Sequence, residues 1–241
     1  MTLLEARGIS VAYGGLVALG GVDFAIEERQ VIALLGPNGS GKTTLFDVLS
    51  GLRRPAAGDV WIRGERVTGL PPWQLARRGV GRTFQIPEPF GALSVRDNVL
   101  VGETFLARRP QPRAARLREV ERLLTMVGLS NRAGDAAARL SLGERKRLEL
   151  ALALSGRPAL LLLDELASGL SPKGRDEVVR FYARLRADGL TIVAVEHSFA
   201  VLAEVADRVL VLDRGTIVAD GPPAAVLDSP PLRTAYMGEE E

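Results

Sequence analysis

Between an apolar segment and a predicted helix, the chain reads Gly36-Pro37-Asn38-Gly39-Ser40-Gly41-Lys42-Thr43-Thr44. This run fits the pattern G-x-x-x-x-G-K-[ST] of a phosphate-binding loop. Glycines allow successive backbone N–H groups to point at one anion, and the helix that follows adds the positive end of its dipole. We therefore predict that Lys42 reaches the β and γ phosphates of a nucleotide and that the Thr43 hydroxyl helps to hold Mg²⁺.

The segments around this loop indicate a mixed sheet. Val31–Leu35 reads as a buried strand that leads directly into the loop, and the next helix starts near Lys42. Further strand-like runs in the opening third are Leu3 to Val11, Val22 to Ile26 and Gly58 to Ile62. Their spacing predicts antiparallel strands beside one strand-turn-helix unit.

The character of the sequence changes twice after this opening third. Helical spacing dominates from about residue 87 to residue 157, with predicted helices at Leu93–Leu106, Ala114–Val127 and Leu142–Leu154. After residue 158, strands and helices alternate, which is typical of a parallel sheet with crossover helices. We predict an α/β fold: a phosphate-loop nucleotide-binding core (1–86 and 158–241) with a parallel sheet, an N-terminal antiparallel β part and an inserted α-helical subdomain (87–157).

Composition excludes several classes of protein. The chain has 241 residues, 46% hydrophobic and 25% charged, which is ordinary for a globular domain. It has no cysteine, which excludes disulfides, thiolate metal sites and cysteine nucleophiles. No apolar run approaches the roughly 18 residues that span a bilayer. The first ten residues lack the pattern of a secretory signal, so we expect a cytoplasmic location.

The densest basic segment has two interpretations. Its arginines are interleaved with Glu119 and Glu121, and aromatic residues are sparse around them. The arginines are Arg108, Arg109, Arg113, Arg116, Arg118 and Arg122. Such a segment can bind nucleic acid or anionic lipid headgroups, but the interleaved acids favour a solvated helix face. Without aromatic stacking partners, no nucleic acid is expected as a partner.

Two adjacent carboxylates follow a second buried strand. Leu160-Leu161-Leu162-Leu163 runs into Asp164-Glu165, and ligands of parallel α/β sheets collect at the carboxyl ends of strands. We predict that Asp164 binds Mg²⁺, directly or through water. Glu165 is then the candidate that polarises the water attacking the γ phosphate.

Between the phosphate loop and the acidic pair lies Leu140-Ser141-Leu142-Gly143-Glu144-Arg145. This segment resembles the signature sequence, usually L-S-G-G-Q, that marks ABC ATPases among phosphate-loop proteins. Further matches occur in the expected order. Tyr13 is similar to the aromatic residue that stacks on adenine, Gln85 to the Q-loop glutamine and His197 to the switch histidine. The resemblance extends over nearly the whole chain.

The resemblance implies a mechanism that needs two subunits. Two ATP molecules lie between two ATPase subunits arranged head to tail. Tyr13 and the phosphate loop of one subunit, with Gln85, Asp164, Glu165 and His197, would then meet Ser141 and Gly143 of the other. In this reading Glu165, His197, Gln85 and Lys42 are catalytic, and Thr43, Gln85 and Asp164 hold Mg²⁺. Ser141 also reads as the N-cap of a helix, with Glu144 completing a capping box.

Three positions depart from the family pattern. Leu142 replaces the usual first signature glycine, and Glu144 replaces the usual glutamine. Ser171 stands where many ABC ATPases have an aspartate. Leu142 and Glu144 affect how closely the ATP bound to the partner subunit approaches the signature. Ser171 affects communication between the subunits. Because Glu165 is present, we expect hydrolysis.

At finer grain, the sequence resembles ATPase subunits of importers for branched-chain amino acids and related amides or urea. The resemblance rests on Gly81-Arg82-Thr83-Phe84-Gln85, on 93–99, on Val195-Glu196-His197 and on the ending 236–239. It implies a homodimer or a heterodimer with a related ATPase, peripheral on the cytoplasmic face of the inner membrane. Two transmembrane permease subunits, and indirectly a solute-binding protein, would be its partners.

Other functions stay open at this point. The ATPase of the lipopolysaccharide extraction system has a similar ending and also a glutamate in its signature. A soluble ABC ATPase of translation or DNA repair usually carries two ATP-binding domains or long coiled-coil insertions, neither of which this chain has. A phosphate-loop kinase or GTPase would need neither the signature nor the switch histidine. The last alternative is an ATP-dependent regulator without turnover, which Glu165→Gln would leave unchanged.

Overall fold

The structure is a computed structural model that describes residues 1–106, 111–164, 172–195, 204–227 and 229–237. The chain divides into two compact units. The first unit comprises Met1–Leu75 and Glu165–Glu241, and the second comprises Ala76–Asp164. The subdomain bounds proposed from the sequence, 87–157, stay a prediction.

The described strands and helices have the following bounds. In chain order they are β1 (Thr2–Tyr13), β2 (Leu16–Glu27), β3 (Val31–Leu35), α1 (Lys42–Leu49), β4 (Ala57–Ile62), β5 (Glu65–Arg66), α2 (Pro72–Arg77), β6 (Val80–Arg82), α3 (Val95–Phe105), α4 (Arg113–Met126), α5 (Leu142–Leu154), β7 (Leu160–Asp164), α6 (Pro172–Ala187), β8 (Thr191–Val195), β9 (Arg208–Asp213), β10 (Thr216–Gly221), α7 (Pro223–Leu227) and α8 (Pro230–Met237).

The first unit contains the antiparallel sheet expected from the opening third of the sequence. Its strand order is β2-β1-β4-β5, and β1 pairs antiparallel with both β2 and β4. In β1, Leu4 and Ala6 are buried, and so are Ile9 and Val11 beyond a shift in the pairing register. β1 runs on to Tyr13, two residues beyond the predicted end, because Ala12 and Tyr13 still pair with β2.

The first unit also contains parallel strands, as predicted. β3 pairs parallel with β8 on one side and with β9 on the other, in registers such as Val31↔Ile192 and Leu35↔Val211. All five residues of β3 are buried, as is typical of a parallel strand with a neighbour on each edge. The phosphate loop therefore leaves the end of a fully enclosed strand.

The second unit combines a short parallel strand pair with three helices. β6 pairs parallel with β7, with Val80 opposite Leu160 and Arg82 opposite Leu162. α3, α4 and α5 pack on one another around Val99, Leu123 and Leu148. Among the residues that the structure describes, no helix combines the length and the apolar composition needed to span a bilayer.

Three glutamates are buried in the second unit, and each one has a hydrogen-bond partner. Glu103 accepts a hydrogen bond from the Gly156 N–H at 3.1 Å. Glu119 accepts hydrogen bonds from the guanidinium groups of Arg122 and Arg157. Glu149 of α5 accepts a hydrogen bond from a backbone N–H close to Gln85. Because a buried carboxylate without a partner is costly, each of these bonds fixes the local structure around it.

Candidate functional site

The phosphate loop of the first unit requires glycine at two of its positions. Gly36 has φ +151°, and a Cβ there would lie 2.0 Å from the Leu212 carbonyl oxygen. Gly41 has φ +109°, and a Cβ there would lie 2.6 Å from the Ala18 carbonyl oxygen. Side chains at these positions would collide with backbone, so the curve of the loop depends on both glycines.

Lys42 closes the loop on itself. Its ammonium group donates hydrogen bonds to the carbonyl oxygens of Gly36 (2.7 Å) and Pro37 (2.8 Å). Lys42 is also the first residue of α1, and the N-cap residue, Gly41, supplies no side-chain hydrogen bond. The first turn of α1 is therefore suited to an anion, because its N–H groups have no capping side chain and lie at the positive end of the helix dipole.

Ser40 and two residues of α8 line a cavity beside the phosphate loop. Ser40 is 3% exposed, and its hydroxyl has no hydrogen-bond partner among the described residues. A cavity of about 300 Å³ borders the loop. Its lining residues are Pro37, Asn38, Gly39, Ser40, Asp213, Arg214, Thr234 and Ala235. Thr234 and Ala235 belong to α8, a helix that the sequence did not predict.

Tyr13 stands at the end of β1 with an arginine on its ring. Tyr13 is 44% exposed, and the Arg53 guanidinium carbon lies 4.3 Å from the centroid of its ring. The Arg53 guanidinium also donates a hydrogen bond to the Ala12 carbonyl oxygen. The backbone N–H of Arg53 donates to the carbonyl oxygen of Asp47, in the last turn of α1. Arg53 thus fixes the ring against the helix that begins at the phosphate loop. No sequence signal pointed to Arg53.

In the second unit, the segment before Gln85 is tied to the end of β7. The Thr83 N–H binds the Leu162 carbonyl oxygen, and the Thr83 hydroxyl accepts a hydrogen bond from the Asp164 N–H at 3.0 Å. Thr83 is 1% exposed, whereas Gln85 is exposed. The structure therefore brings Asp164 and the Gln85 segment together within this unit.

Glu149 approaches the same segment from α5. Its Oε1 accepts a hydrogen bond from the Phe84 N–H at 2.8 Å, directly before Gln85. Burial raises the pKa of Glu149 to about 7, and the negative charge of Asp164 adds to this rise. The Phe84 N–H and the charges of Lys146 and Arg82 act in the opposite direction. Sequence reasoning missed Glu149, since its position inside a predicted helix gave no sign of a partner.

The signature segment forms the capping box predicted for it. The Ser141 side chain accepts a hydrogen bond from the Glu144 N–H, and the Glu144 carboxylate accepts hydrogen bonds from the Ser141 N–H and hydroxyl, both at 2.8 Å. These bonds from Ser141, backbone first and then hydroxyl, lower the pKa of Glu144. Leu142 is 65% exposed, and a Cβ on Gly143 would meet nothing within 4 Å. The start of α5 is therefore an open surface.

Two predicted residues cannot be placed. Glu165 and His197 lie outside the described residues, and so does Ser171. Their roles remain predictions from the sequence. Of the other candidates, the first unit holds Tyr13 and the phosphate loop, and the second holds Gln85, Ser141, Gly143 and Asp164.

Comparison with known families identifies the chain. The family model described as ABC transporter matches residues 19–168, which include the phosphate loop, the signature segment and the acidic pair. The chain belongs to the ABC transporter family. The matched range includes the phosphate loop, Gln85 and the start of α5 at Ser141, whereas Tyr13 lies before its first residue.

Curated members of the ABC transporter family match this chain along nearly its full length. The high-affinity branched-chain amino acid transport ATP-binding protein BraF of Pseudomonas aeruginosa is 37% identical, with 98% of each chain covered. The corresponding protein LivG of Escherichia coli is 35% identical, again with 98% of each chain covered.

Solved ABC cassettes share the fold. The ADP conformation of MJ1267, an ATP-binding cassette of an ABC transporter, has a TM-score of 0.86 and 29% identity. That comparison covers 99% of this chain and 100% of the other. MJ0796, a bacterial ABC transporter cassette solved as a dimer, has a TM-score of 0.84 and 25% identity, with 92% and 99% covered. The α/β fold predicted from the phosphate loop is thus confirmed.

Proposed function

We propose that this chain is the ATP-binding and ATP-hydrolysing subunit of an ABC importer for branched-chain or related amino acids. The geometry that supports nucleotide binding best is the phosphate loop, with its two obligatory glycines, Lys42 and the uncapped start of α1. The substrate class is supported by the similarity to BraF and LivG, which extends over 98% of each chain.

The residues present suit ATP with Mg²⁺. The buried Ser40 hydroxyl, which has no partner among the described residues, is a polar group of the kind that a phosphate oxygen satisfies. The predicted Mg²⁺ ligands are the hydroxyl of Thr43, the amide oxygen of Gln85 and the carboxylate of Asp164. All three groups can coordinate Mg²⁺ through an oxygen atom. In nucleotide sites, Mg²⁺ takes only a few ligands from the protein, in addition to the phosphate oxygens. When bound, Mg²⁺ would neutralise the charge that develops on the phosphates.

The remaining roles follow from the family resemblance. Lys42 would leave the carbonyl oxygens of the loop and bind the β and γ phosphates. Glu165 would polarise the attacking water, Gln85 and His197 would sense the γ phosphate, and Tyr13 would stack on the adenine. Such chemistry depends on positioning and on electrostatic stabilisation, since the protein forms no covalent bond with the phosphoryl group that it transfers.

The signature of one subunit would complete the site of the other. Ser141 and Gly143 stand on an open surface at the start of a helix, where N–H groups and the helix dipole favour an anion. We propose a homodimer or a heterodimer with a related ATPase, peripheral on the cytoplasmic face of the membrane. Its closure around ATP would drive two permease subunits, to which a solute-binding protein delivers the amino acid.

Uptake by living cells tests the substrate class. The gene for this chain is deleted from its source organism, and the strain is complemented with the wild type or with Lys42→Ala. We expect uptake of radiolabelled leucine, isoleucine or valine to fall on deletion and to return with the wild type alone. Uptake of an unrelated solute serves as the control. Unchanged uptake of all three amino acids after deletion would contradict the proposed substrate class.

A further inference from the structure

Glu149 is a carboxylate in an apolar position. It is 8% exposed, and its neighbours in α5, Leu148 and Leu150, are both buried. Glutamate is almost never buried to this degree without a partner, because its desolvation is costly. The partner here is the Phe84 N–H, which donates to Oε1 at 2.8 Å. A side chain from the middle of α5 therefore holds the backbone directly before Gln85.

The Phe84 N–H lies one residue beyond the last N–H that bonds to β7, and N–H groups alternate sides along a strand, so β7 offers it no partner. The Thr83 N–H still binds the Leu162 carbonyl oxygen of β7. In a continued parallel ladder the Asp164 N–H would bind the Thr83 carbonyl oxygen. It binds the Thr83 hydroxyl instead, at 3.0 Å. The chain thus turns out of the sheet at Thr83. The next backbone N–H, that of Phe84, donates its hydrogen bond to Glu149.

The residues before Gln85 are therefore held from three directions. The Thr83 hydroxyl joins them to Asp164, and Glu149 joins them to α5. The Arg82 guanidinium carbon lies 4.8 Å from the centroid of the Phe84 ring, within the range of a cation–π contact. Gln85 itself is exposed and projects from this fixed base.

We propose that Glu149 is a positioning residue for Gln85. Its carboxylate oxygen fixes the backbone from which Gln85 projects, relative both to Asp164 and to the helix that begins at Ser141. This inference rests on the proposed function, because Gln85 has a role in catalysis only if the chain hydrolyses ATP. Glu149 touches no reacting atom in this account and acts solely through the Phe84 N–H.

A matched set of substitutions separates this role from a purely structural one. Glu149→Gln keeps an oxygen acceptor, whereas Glu149→Met keeps the length of the side chain and removes the acceptor. Glu149→Asp keeps the carboxylate but withdraws it by one methylene. The control is Glu103→Met, because Glu103 is also buried in this unit and also accepts a backbone N–H, that of Gly156 at 3.1 Å. Neither Glu103 nor Gly156 is a predicted site residue.

Three quantities are measured on the purified chain and its variants. They are the kcat of ATP hydrolysis, the Mg²⁺ concentration for half-maximal rate, and the affinity for a fluorescent ATP analogue without Mg²⁺. We expect Glu149→Met to lower kcat by about tenfold or more, as small misplacements near a reacting centre do, and to raise the half-maximal Mg²⁺ concentration. Glu149→Asp should show a smaller loss of the same kind, and Glu149→Gln should stay within about threefold of the wild type.

The affinity without Mg²⁺ should stay within about twofold of the wild type in every variant, since the phosphate loop is unaltered. Glu103→Met should melt at a lower temperature and keep its kcat. The proposal is overturned if Glu149→Met keeps the wild-type kcat, if Glu103→Met loses activity equally, or if Glu149→Gln is as impaired as Glu149→Met. Should Glu149→Met fail to fold, the contrast between Glu149→Gln and Glu149→Asp decides the question in the same way.

Hydrogen exchange provides a readout that does not depend on activity. Amide exchange in the peptide containing Phe84 should accelerate in Glu149→Met and Glu149→Asp, and it should stay slow in Glu103→Met. Equal exchange in all variants would overturn the proposal. A wild type that neither binds nor hydrolyses ATP would instead overturn the proposed function, while the exchange experiment would still report on the Glu149 hydrogen bond.

Discussion

The guanidinium carbon of Arg53 lies 4.3 Å from the centroid of the Tyr13 ring. Arg53 lies over the ring, and Tyr13 is still 44% exposed. Arg53 is in turn fixed to the Ala12 and Asp47 carbonyl oxygens. A planar base that stacks on Tyr13 would therefore meet a ring already held in one orientation, which lowers the ordering cost of binding.

The first prediction concerns this pair. Tyr13→Ala should weaken ATP binding more strongly than Arg53→Ala, because it removes the stacking surface itself. Arg53→Ala should weaken binding by about twofold to fivefold, the equivalent of an exposed cation–π contact of about 0.5–1 kcal/mol. Equilibrium titration with a fluorescent ATP analogue measures both effects.

The control for this prediction is Arg7→Ala. Arg7 also lies over an aromatic ring, that of Trp61 at 5.8 Å, but neither residue is a predicted site residue. Binding by Arg7→Ala should equal that of the wild type. An equal loss in the Arg7 and Arg53 variants would show that the effect is one of general stability and would refute the role given to Tyr13.

The second prediction separates the two roles of Ser141. Ser141→Ala removes an N-cap and should cost about 1 kcal/mol of stability. It should also lower the ATPase rate by about tenfold or more, since a signature hydroxyl would be lost from the partner's site. Binding of ATP to the monomer should be unchanged. Denaturant melts and steady-state hydrolysis test both parts.

Ser94→Ala is the matched variant for Ser141→Ala. Ser94 caps α3 in the same unit and accepts a hydrogen bond from the Asp97 N–H at 3.0 Å. It should lose a similar amount of stability and keep the wild-type ATPase rate. If both serine variants retain the full rate, Ser141 is a helix cap and nothing more.

The third prediction concerns the backbone of the phosphate loop. Gly41→Ala places a Cβ 2.6 Å from the Ala18 carbonyl oxygen at φ +109°. We expect ATP binding to be lost and the protein to be destabilised by about 1–3 kcal/mol or more, the usual cost of backbone strain. Gly15→Ala, where a Cβ meets nothing within 4 Å, should bind ATP normally. Normal binding by Gly41→Ala would contradict the loop geometry described here.

The fourth prediction is a dependence of stability on pH. Burial raises the pKa of Glu149 from its ordinary value of 4.5 to about 7. Between these values the folded chain holds a proton that the unfolded chain has lost, so this group costs stability as the pH rises from about 4.5 to 7. Glu149→Gln has no such group and should therefore gain stability relative to the wild type over this range, by up to about 3 kcal/mol.

Urea unfolding of the wild type and of Glu149→Gln at pH 5 and pH 8 measures this gain. The difference in free energy of unfolding between the two proteins should shift in favour of the variant at pH 8. A difference that is the same at both pH values would show that Glu149 titrates normally in the folded chain.

The sequence predicted those elements whose local signals agree. α5 spans Leu142–Leu154 and β3 spans Val31–Leu35, as predicted, since a capping serine starts the first and an apolar run defines the second. The phosphate loop was equally predictable, because its backbone adopts conformations that glycine tolerates and few other residues do. The capping box at Ser141 followed from two residues three positions apart.

What escaped prediction depends on contacts distant in sequence. β6 has only three residues, and it forms by pairing with β7, far along the chain. α2 and α8 are short helices that begin near proline pairs, a signal also typical of turns. Arg53 and Glu149 act through Tyr13 and Phe84. Neither partner can be inferred from local pattern, because tertiary packing alone brings them together.

We propose that this ABC-family ATPase drives a membrane partner. The most direct test purifies tagged Glu165→Gln in the presence of ATP from detergent-solubilised native membranes. This substitution is expected to trap the closed dimer by removing the carboxylate that is predicted to polarise the attacking water. We predict stoichiometric recovery of two membrane subunits together with a second copy of the chain or a related ATPase. Recovery of soluble partners alone would contradict it.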